Sequence, residues 1–177
     1  MKQFNINLDI INDLLLTKSY KYLGNISLVN EDIFKDIDDV MDFINHFNEE
    51  EKDLKSNLSM MEIHNINNDP NCPKLILELA EYIKKIKPYN KRLNIVAFLG
   101  FENSIGYRWH DDDYHIIAMN IIGETTWNFR DGNKIKMKPG DLLFIPSPVE
   151  HQVDGSGERF SLGFCSVTNA KLLNQKK

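Results

Sequence analysis

Two stretches of this sequence decide its fold: GYRWHDDD at residues 106–113 and KPGDLLFIPSPVEH at residues 138–151. In the first, His110 and Asp112 are two residues apart, and side chains at that spacing point to the same side of an extended backbone. The second ends with another histidine, His151. Two histidines and one carboxylate form a facial triad that holds a divalent metal and leaves coordination positions open. We therefore predict one mononuclear metal site at His110, Asp112 and His151.

The segments that flank these stretches have the composition of β-strands. Runs of β-branched and aromatic residues alternate with turns, and Asp131-Gly132 is typical of a hairpin turn. Many short strands separated by turns predict a sandwich or a barrel. The predicted strands cover residues 93–101, 116–122, 125–129, 142–145 and 160–167.

The chain before residue 90 has a helical pattern instead. Residues 30–32, Asn-Glu-Asp, suit a helix cap and first turn, and apolar residues then recur at helical spacing over residues 33–44. A second helix is predicted from Pro73, which suits a first turn, to Pro88, which ends it. We expect one domain over residues 1–177, with a mostly helical part at 1–90 packed on a barrel core at 91–168 that holds the metal site.

Composition and charge exclude several classes of function. The 177 residues carry 26 acidic and 21 basic side chains, a net charge of −5, whereas a protein that binds duplex DNA needs a dense basic face. No apolar run approaches the roughly 18 residues that a membrane helix requires. Cys72 and Cys165 belong to no CxxC motif, which is typical of a reducing compartment. We predict a cytoplasmic protein with neither nucleic-acid nor membrane partners.

From Gly106 to Phe164 the sequence resembles the Jumonji-C-like branch of the cupin superfamily. This branch contains 2-oxoglutarate-dependent oxygenases, including the ribosomal-protein hydroxylases. In the family, a His-x-Asp motif, an apolar strand, a Gly and a Trp are followed by a Pro-Gly-Asp turn, a second apolar strand, a Pro, the distal His and a Ser-Leu-x-Phe strand. The matching residues are His110, Asp112, Gly123, Trp127, Pro139-Gly140-Asp141, Leu142–Ile145, Pro146, His151 and Ser161–Phe164.

The resemblance implies a fold and a reaction. The fold would be a double-stranded β-helix, the cupin or jelly-roll barrel, with helices packed on it. His110, Asp112 and His151 would be the catalytic metal ligands, with Fe(II) as the ion and 2-oxoglutarate as the cosubstrate that chelates it. Oxygen would complete the reaction, and the protein would orient the cosubstrate and exclude water.

One position departs from the family pattern. Where close relatives have a Lys for the distal carboxylate of 2-oxoglutarate, this chain has Thr125, which can form a hydrogen bond but carries no charge. We predict that Arg159 compensates with Ser161, since side chains two residues apart on a strand share one face and Arg has a fork that matches a carboxylate. The alternative is a surface Arg159 paired with Glu158 or Asp154.

Other residues near the two motifs have open assignments. Tyr107 and Asn120 are predicted to line the cosubstrate pocket, with core or rim placement as the alternative. Trp109 and Arg108 are candidate substrate contacts, while Arg108 and Arg130 are also weaker alternatives for the carboxylate. His115 is out of phase with His110 on an extended chain, so we do not predict it as a ligand.

Three functions remain compatible with the sequence. The first is an Fe(II)- and 2-oxoglutarate-dependent oxygenase that oxidises a small molecule, an amino acid or a peptide. The second is a metal-dependent cupin that does not use 2-oxoglutarate, such as a dioxygenase, isomerase or decarboxylase, and Thr125 favours it. The third is a non-catalytic cupin that binds a ligand in its barrel. The sequence leaves the oligomeric state open, a homodimer included.

Overall fold

Two long antiparallel strands form the centre of the computed structural model, which describes residues 4, 6–28, 33–47, 52–55, 60–101, 106 and 108–166. The helices are α1 (Ile11–Thr17), α2 (Ile37–Ile44) and α3 (Lys74–Ile83). The strands are β1 (Lys21–Asn25), β2 (Lys52–Lys55), β3 (Met60–Ile63), β4 (Leu93–Gly100), β5 (Ile116–Phe129), β6 (Lys134–Met137), β7 (Asp141–Ile145) and β8 (His151–Ser166).

All strand pairs in the described residues are antiparallel, and they form one sheet in the order β1-β7-β5-β8-β4-β3-β2. Strands β5 and β8 have 14 and 16 residues and pair along nearly their whole length. The first part of β5 also pairs with β7, whereas its last part pairs with β6. Each half of the β5–β8 ribbon therefore has its own neighbours and forms its own wall.

A bulge in β5 allows both walls to face one interior. The register with β8 shifts on either side of Ile122, and Gly123 has a φ of 70°. An extra residue in one strand bends it and changes which side chains face a given side. Accordingly Ile116 and Ala118 face the interior cavity before the bulge, and Thr125 and Trp127 face it after the bulge.

Two apolar layers lie on opposite sides of β8. Phe160, Leu162 and Phe164 pack into the larger layer, which also contains the buried faces of the three helices. The edge of Phe34 meets Phe160 with 5.2 Å between ring centroids. The smaller layer lies inside the barrel. It contains Val96, Ile116, Ala118, Trp127, Phe129, Met137, Leu143, Ile145 and Cys165. Burial of a large apolar side chain contributes roughly 1.5–3 kcal/mol, so these layers hold the helices on the barrel.

The predicted strands after residue 90 are present, with longer bounds for two of them. Segments 116–122 and 125–129 are one strand, β5, because the bulge bends the strand without ending it. Strand β8 begins at His151, nine residues before the predicted start at residue 160, and residue 167 lies outside the described residues. The Asp131-Gly132 turn joins β5 to β6, with Gly132 at a φ of 86°.

The part before residue 90 differs from the mostly helical prediction, because β1, β2 and β3 join the sheet. The predicted cap at residues 30–32 lies outside the described residues, and α2 begins at Ile37, where the Asp36 carboxylate accepts from the Asp39 amide at 3.1 Å. Helix α3 follows Pro73 as predicted but ends at Ile83, before Pro88. Helix α1 was not predicted. None of the described helices is long and apolar enough to cross a lipid bilayer.

Candidate metal centre

His110 and His151 face each other across a short antiparallel bridge. The His110 amide donates to the His151 carbonyl at 3.1 Å, and the His151 amide donates to the His110 carbonyl at 2.8 Å. The two imidazole centroids are 4.4 Å apart. The bridge therefore places the motif after Gly106 directly beside the start of β8, and it does so with backbone groups alone.

Each imidazole is oriented by a carbonyl two residues earlier in the chain. His110 Nδ1 lies 2.8 Å from the Arg108 carbonyl oxygen, and His151 Nδ1 lies 2.9 Å from the Val149 carbonyl oxygen. A carbonyl can only accept, so the proton of each neutral ring is on Nδ1. The Nε2 lone pair of each ring is left for a metal, as in most metal sites with histidine ligands.

Asp112 completes the cluster. Its Oδ2 lies 3.6 Å from His151 Nε2, and Tyr114 donates a hydrogen bond to the carboxylate. Within the described part of the chain, Oδ2 is buried with no hydrogen-bond partner. The ligand atoms of His110, Asp112 and His151 all lie within 4.8 Å of one another. Because metal–ligand distances are about 2.0–2.2 Å, adjacent ligands of one ion stand roughly 3 Å apart. The unpartnered carboxylate oxygen, close to two imidazole nitrogens, fits a divalent cation, which would draw the three ligand atoms closer together.

Burial prepares these groups for a cation. Desolvation lowers the pKa of His151 to about 4, so its imidazole is neutral near pH 7. Desolvation also raises the pKa of Asp112, and the charge of His110 opposes that shift. A buried ionised carboxylate is unfavourable without a compensating positive charge. A metal ion between the three side chains would supply that charge.

The cluster opens onto a cavity of about 270 Å³ between the two walls of the barrel. His151, Val153 and Trp127 line one wall, and Phe98 and Ser161 line the other. Most of the lining is apolar, with a few polar groups, which is the usual composition of a small-molecule site.

Arg159 lines the same cavity and is 5% exposed, so it is not the surface residue of the alternative assignment. Its Nη1 donates to the Gly157 carbonyl at 3.3 Å. Desolvation lowers the pKa of its guanidinium, and the nearby Asp154 carboxylate partly opposes this. A guanidinium remains charged in spite of such shifts. Among the described residues that line the cavity, Arg159 is the one with a permanent positive charge.

Thr125 and Ser161 line the cavity, and Asn120 is not among its lining residues. The Asn120 amide donates to the Gly123 and Met137 carbonyls at 3.1 and 3.2 Å, so its oxygen must accept the Thr125 hydroxyl proton at 3.0 Å. The Asn120 side chain therefore forms its hydrogen bonds within the protein. For Thr125 it follows that the hydroxyl can accept from a ligand but has no proton to donate to a carboxylate.

The two candidate substrate residues, Trp109 and Arg108, are not among the residues that line the cavity. Arg108 is exposed and contributes its carbonyl to His110. Trp109 lies under the Arg130 guanidinium, 4.2 Å from the ring centroid, and Arg130 pairs with Glu150 at 3.2 Å. The prediction for Tyr107 falls outside the described residues. His115 is not part of the cluster, and its Nδ1 accepts from the Ser147 amide at 3.0 Å.

Sequence reasoning missed Glu62, a buried acid on β3 that lines the cavity. Its Oε2 lies 3.6 Å from His64 Nε2, and its charge contributes to the raised pKa of Asp112. Glu62 is opposite Phe98 on β4, which is opposite Ser161 on β8. Its position follows from a chain of strand pairings, so no local pattern around residue 62 could have revealed it.

No protein-family model and no curated protein sequence matches this chain. Solved structures do. The X-ray structure of E. coli YcfD has a TM-score of 0.69 at 13% identity, over 98% of this chain and 56% of that one. The Escherichia coli ribosomal oxygenase YcfD has a TM-score of 0.51 at 14% identity, and YcfD in complex with cobalt and succinic acid has 0.51 at 15%. Each of these two matches covers 66% of this chain and 34% of that chain.

These similarities establish the fold. The chain has the jelly-roll barrel with packed helices that its sequence predicted, and E. coli YcfD has the same fold. The chain spans 56% of the length of the first of these three YcfD structures.

Proposed function

We propose that this chain is a metal-dependent oxygenase that uses Fe(II), O2 and 2-oxoglutarate to oxidise a small molecule, an amino acid or a peptide. The observation that carries the proposal is the convergence of His110, Asp112 and His151, whose ligand atoms lie within 4.8 Å of one another beside a mostly apolar cavity. Two imidazoles and a carboxylate are the ligand set of non-haem Fe(II) oxygenases.

The residues of this chain have separate tasks in such a reaction. His110 and His151 leave their Nε2 atoms for the metal because their Nδ1 atoms donate to carbonyls. Asp112 supplies negative charge, and the hydrogen bond from Tyr114 orients its carboxylate. The apolar walls exclude water. The bound metal would supply O2 activation and hold the cosubstrate's 2-oxo acid group.

Arg159 is the proposed partner of the distal carboxylate of 2-oxoglutarate. It is buried, it lines the cavity, and its fork of N–H donors matches a carboxylate. The structural relative YcfD has been crystallised with cobalt and succinic acid, which is a dicarboxylic acid. That ligand set is compatible with a metal and a dicarboxylate in one barrel and supports the same proposal here.

The test is succinate release from 2-oxoglutarate by the protein with Fe(II) under air, beside a sample treated with a chelator and an Asp112→Ala variant. We expect succinate from the Fe(II)-loaded protein only. Titration of 2-oxoglutarate into the Mn(II)-loaded protein checks binding separately from turnover. If neither metal-dependent binding nor succinate is seen, the 2-oxoglutarate assignment is wrong.

A second candidate is a metal-dependent cupin that does not use 2-oxoglutarate. The observation that favours it is Thr125, which stands where the family has a Lys and whose hydroxyl proton is donated to Asn120. The two candidates differ in one measurement. Tight Mn(II) binding that requires Asp112, together with no 2-oxoglutarate binding, supports the second candidate.

A further inference from the structure

Residues of β8 line the cavity along much of the strand. His151 and Val153 line it near the start, and Arg159, Ser161, Leu162 and Gly163 line it further on, so the lining falls mainly on every second residue. Gly155 continues the series from His151 and Val153, and its cross-strand partner Thr125 also lines the cavity. Directly opposed residues of an antiparallel pair have their side chains on the same face. A side chain at residue 155 would therefore point into the cavity.

The space beside Gly155 is filled by Arg159. A Cβ atom at residue 155 would lie 2.5 Å from both Cδ and Nε of Arg159, and 3.0 Å from its Cζ. The pairing of β8 with β5 is irregular between Ser156 and Phe160, and Gly157 has a φ of 73°. The Arg159 side chain therefore extends back toward the start of β8 and lies over Gly155.

We propose that Gly155 is a positioning residue for the anion site of the cavity: its lack of a side chain leaves the place that the Arg159 guanidinium occupies. The guanidinium then lies on the same face of β8 as His151 and next to Thr125, the opposed residue. This inference rests on the proposed function in one respect, since the anion that it assigns to Arg159 is the distal carboxylate of 2-oxoglutarate.

An alanine at residue 155 separates this role from a role in folding. Gly155 is not among the glycines with positive φ, so alanine can adopt its backbone conformation. The atoms that the new methyl group would meet belong to the far part of a flexible side chain. The guanidinium can move away while the strand keeps its pairing. Gly155→Ala should therefore displace Arg159 and leave the fold intact.

The experiment measures 2-oxoglutarate binding to the Mn(II)-loaded protein for wild type, Gly155→Ala, Arg159→Ala and the double variant. Loss of a hydrogen-bonded charge weakens binding about 10- to 100-fold, which we expect for each single variant. The double variant should bind no more weakly than Arg159→Ala, because residues that act through one group are not additive. Mn(II) affinity and the melting temperature should stay at wild-type values. Ser156→Ala, an exposed neighbour, is the matched control.

Two results would overturn the inference: wild-type affinity for 2-oxoglutarate in Gly155→Ala, or full additivity in the double variant. A crystal structure of Gly155→Ala gives a reading that needs no ligand. Arg159 displaced from residue 155 supports the inference, and Arg159 unmoved refutes it. If the wild-type protein binds Mn(II) but not 2-oxoglutarate, the proposed function fails, and this crystal structure still decides whether Gly155 positions Arg159.

Discussion

His110 and His151 exchange two backbone hydrogen bonds, at 3.1 and 2.8 Å, while their imidazoles stand side by side with centroids 4.4 Å apart. The geometry of the candidate metal centre is thus built into the main chain. Substitution of either side chain leaves the bridge in place, so the metal centre can be tested without disturbing the barrel.

His110→Ala and His151→Ala should each lose divalent metal binding and keep the fold. Loss of a residue that only hydrogen-bonds to a metal ligand typically weakens metal binding by up to roughly 100-fold. Removal of one of the three ligands themselves should weaken it more. Calorimetric titration with Mn(II) measures the affinity, and circular dichroism checks the fold. His46→Ala is the control, since His46 is exposed and its Nδ1 lies 2.8 Å from the Asp42 carbonyl oxygen on α2, outside the cluster. Metal affinity that survives either cluster substitution would contradict the assignment.

Asp112→Asn should stabilise the metal-free protein near pH 7.5. Burial raises the folded-state pKa of Asp112, so its contribution to stability is present below the unfolded-state pKa and is lost as the pH rises through the folded-state value. The amide removes this loss. A pKa shift from 3.8 to about 6 corresponds to a gain of about 3 kcal/mol. Melting curves in chelator at pH 7.5 and pH 4 measure it, and the gain should shrink at pH 4.

The same substitution should reverse the order of stability once metal is added. A ligand at 1,000 times its dissociation constant stabilises a folded protein by about 4.1 kcal/mol, more than the gain from the amide. Mn(II) should therefore raise the melting temperature of the wild type and not that of Asp112→Asn. An equal rise in both proteins would show that the ion binds elsewhere.

Arg159→Ala should raise the 2-oxoglutarate concentration needed for half-maximal succinate release by about 10- to 100-fold. The buried guanidinium lines the cavity on β8, away from the triad ligands in sequence, so metal affinity should be unchanged. Arg159→Lys keeps the charge without the planar fork, so its 2-oxoglutarate requirement should lie between those of the wild type and Arg159→Ala. An unaltered 2-oxoglutarate requirement in Arg159→Ala would refute the carboxylate role.

Thr125→Val should reduce stability and leave 2-oxoglutarate affinity within about twofold of wild type. The Thr125 hydroxyl donates to Asn120, so its loss leaves a buried amide oxygen without a donor, at a cost of about 1–3 kcal/mol. Since the Thr125 hydroxyl already donates its hydrogen bond to Asn120, 2-oxoglutarate should lose little affinity. Denaturant unfolding and 2-oxoglutarate titration measure the two effects. Thr125→Ser, which keeps the hydroxyl, should restore stability, and a large loss of affinity in Thr125→Val would make Thr125 a direct donor.

The part of the fold that sequence predicted well is the part with strong local patterns. Strand β7 follows a Pro-Gly-Asp turn and is a continuous apolar run, and the hairpin between β5 and β6 has an Asp-Gly turn. Strands β1, β2, β3 and β6 were missed. They are only four or five residues long, and β1 and β3 owe their conformation to pairing with β7 and β4. These two pairings join segments that are distant in sequence and leave no local signal.

The sequence by itself determined which side chains can form the metal centre. A His and an Asp two residues apart, and a second His after an apolar strand, carry the ligand chemistry wherever they are placed, because nitrogen and carboxylate donors are properties of the residues. The resemblance to the Jumonji-C-like cupins added the expectation that these segments meet in a barrel.

Only the tertiary structure decided what surrounds that centre. The bulge at Gly123 turns Thr125 toward the cavity, the Asn120 amide oxygen accepts a hydrogen bond from the Thr125 hydroxyl, and the absence of a side chain at Gly155 lets Arg159 lie inside. Glu62 comes to the cavity across three paired strands. Each of these facts depends on which atoms of remote segments become neighbours, and hydrogen bonds and steric exclusion act only between neighbours in space.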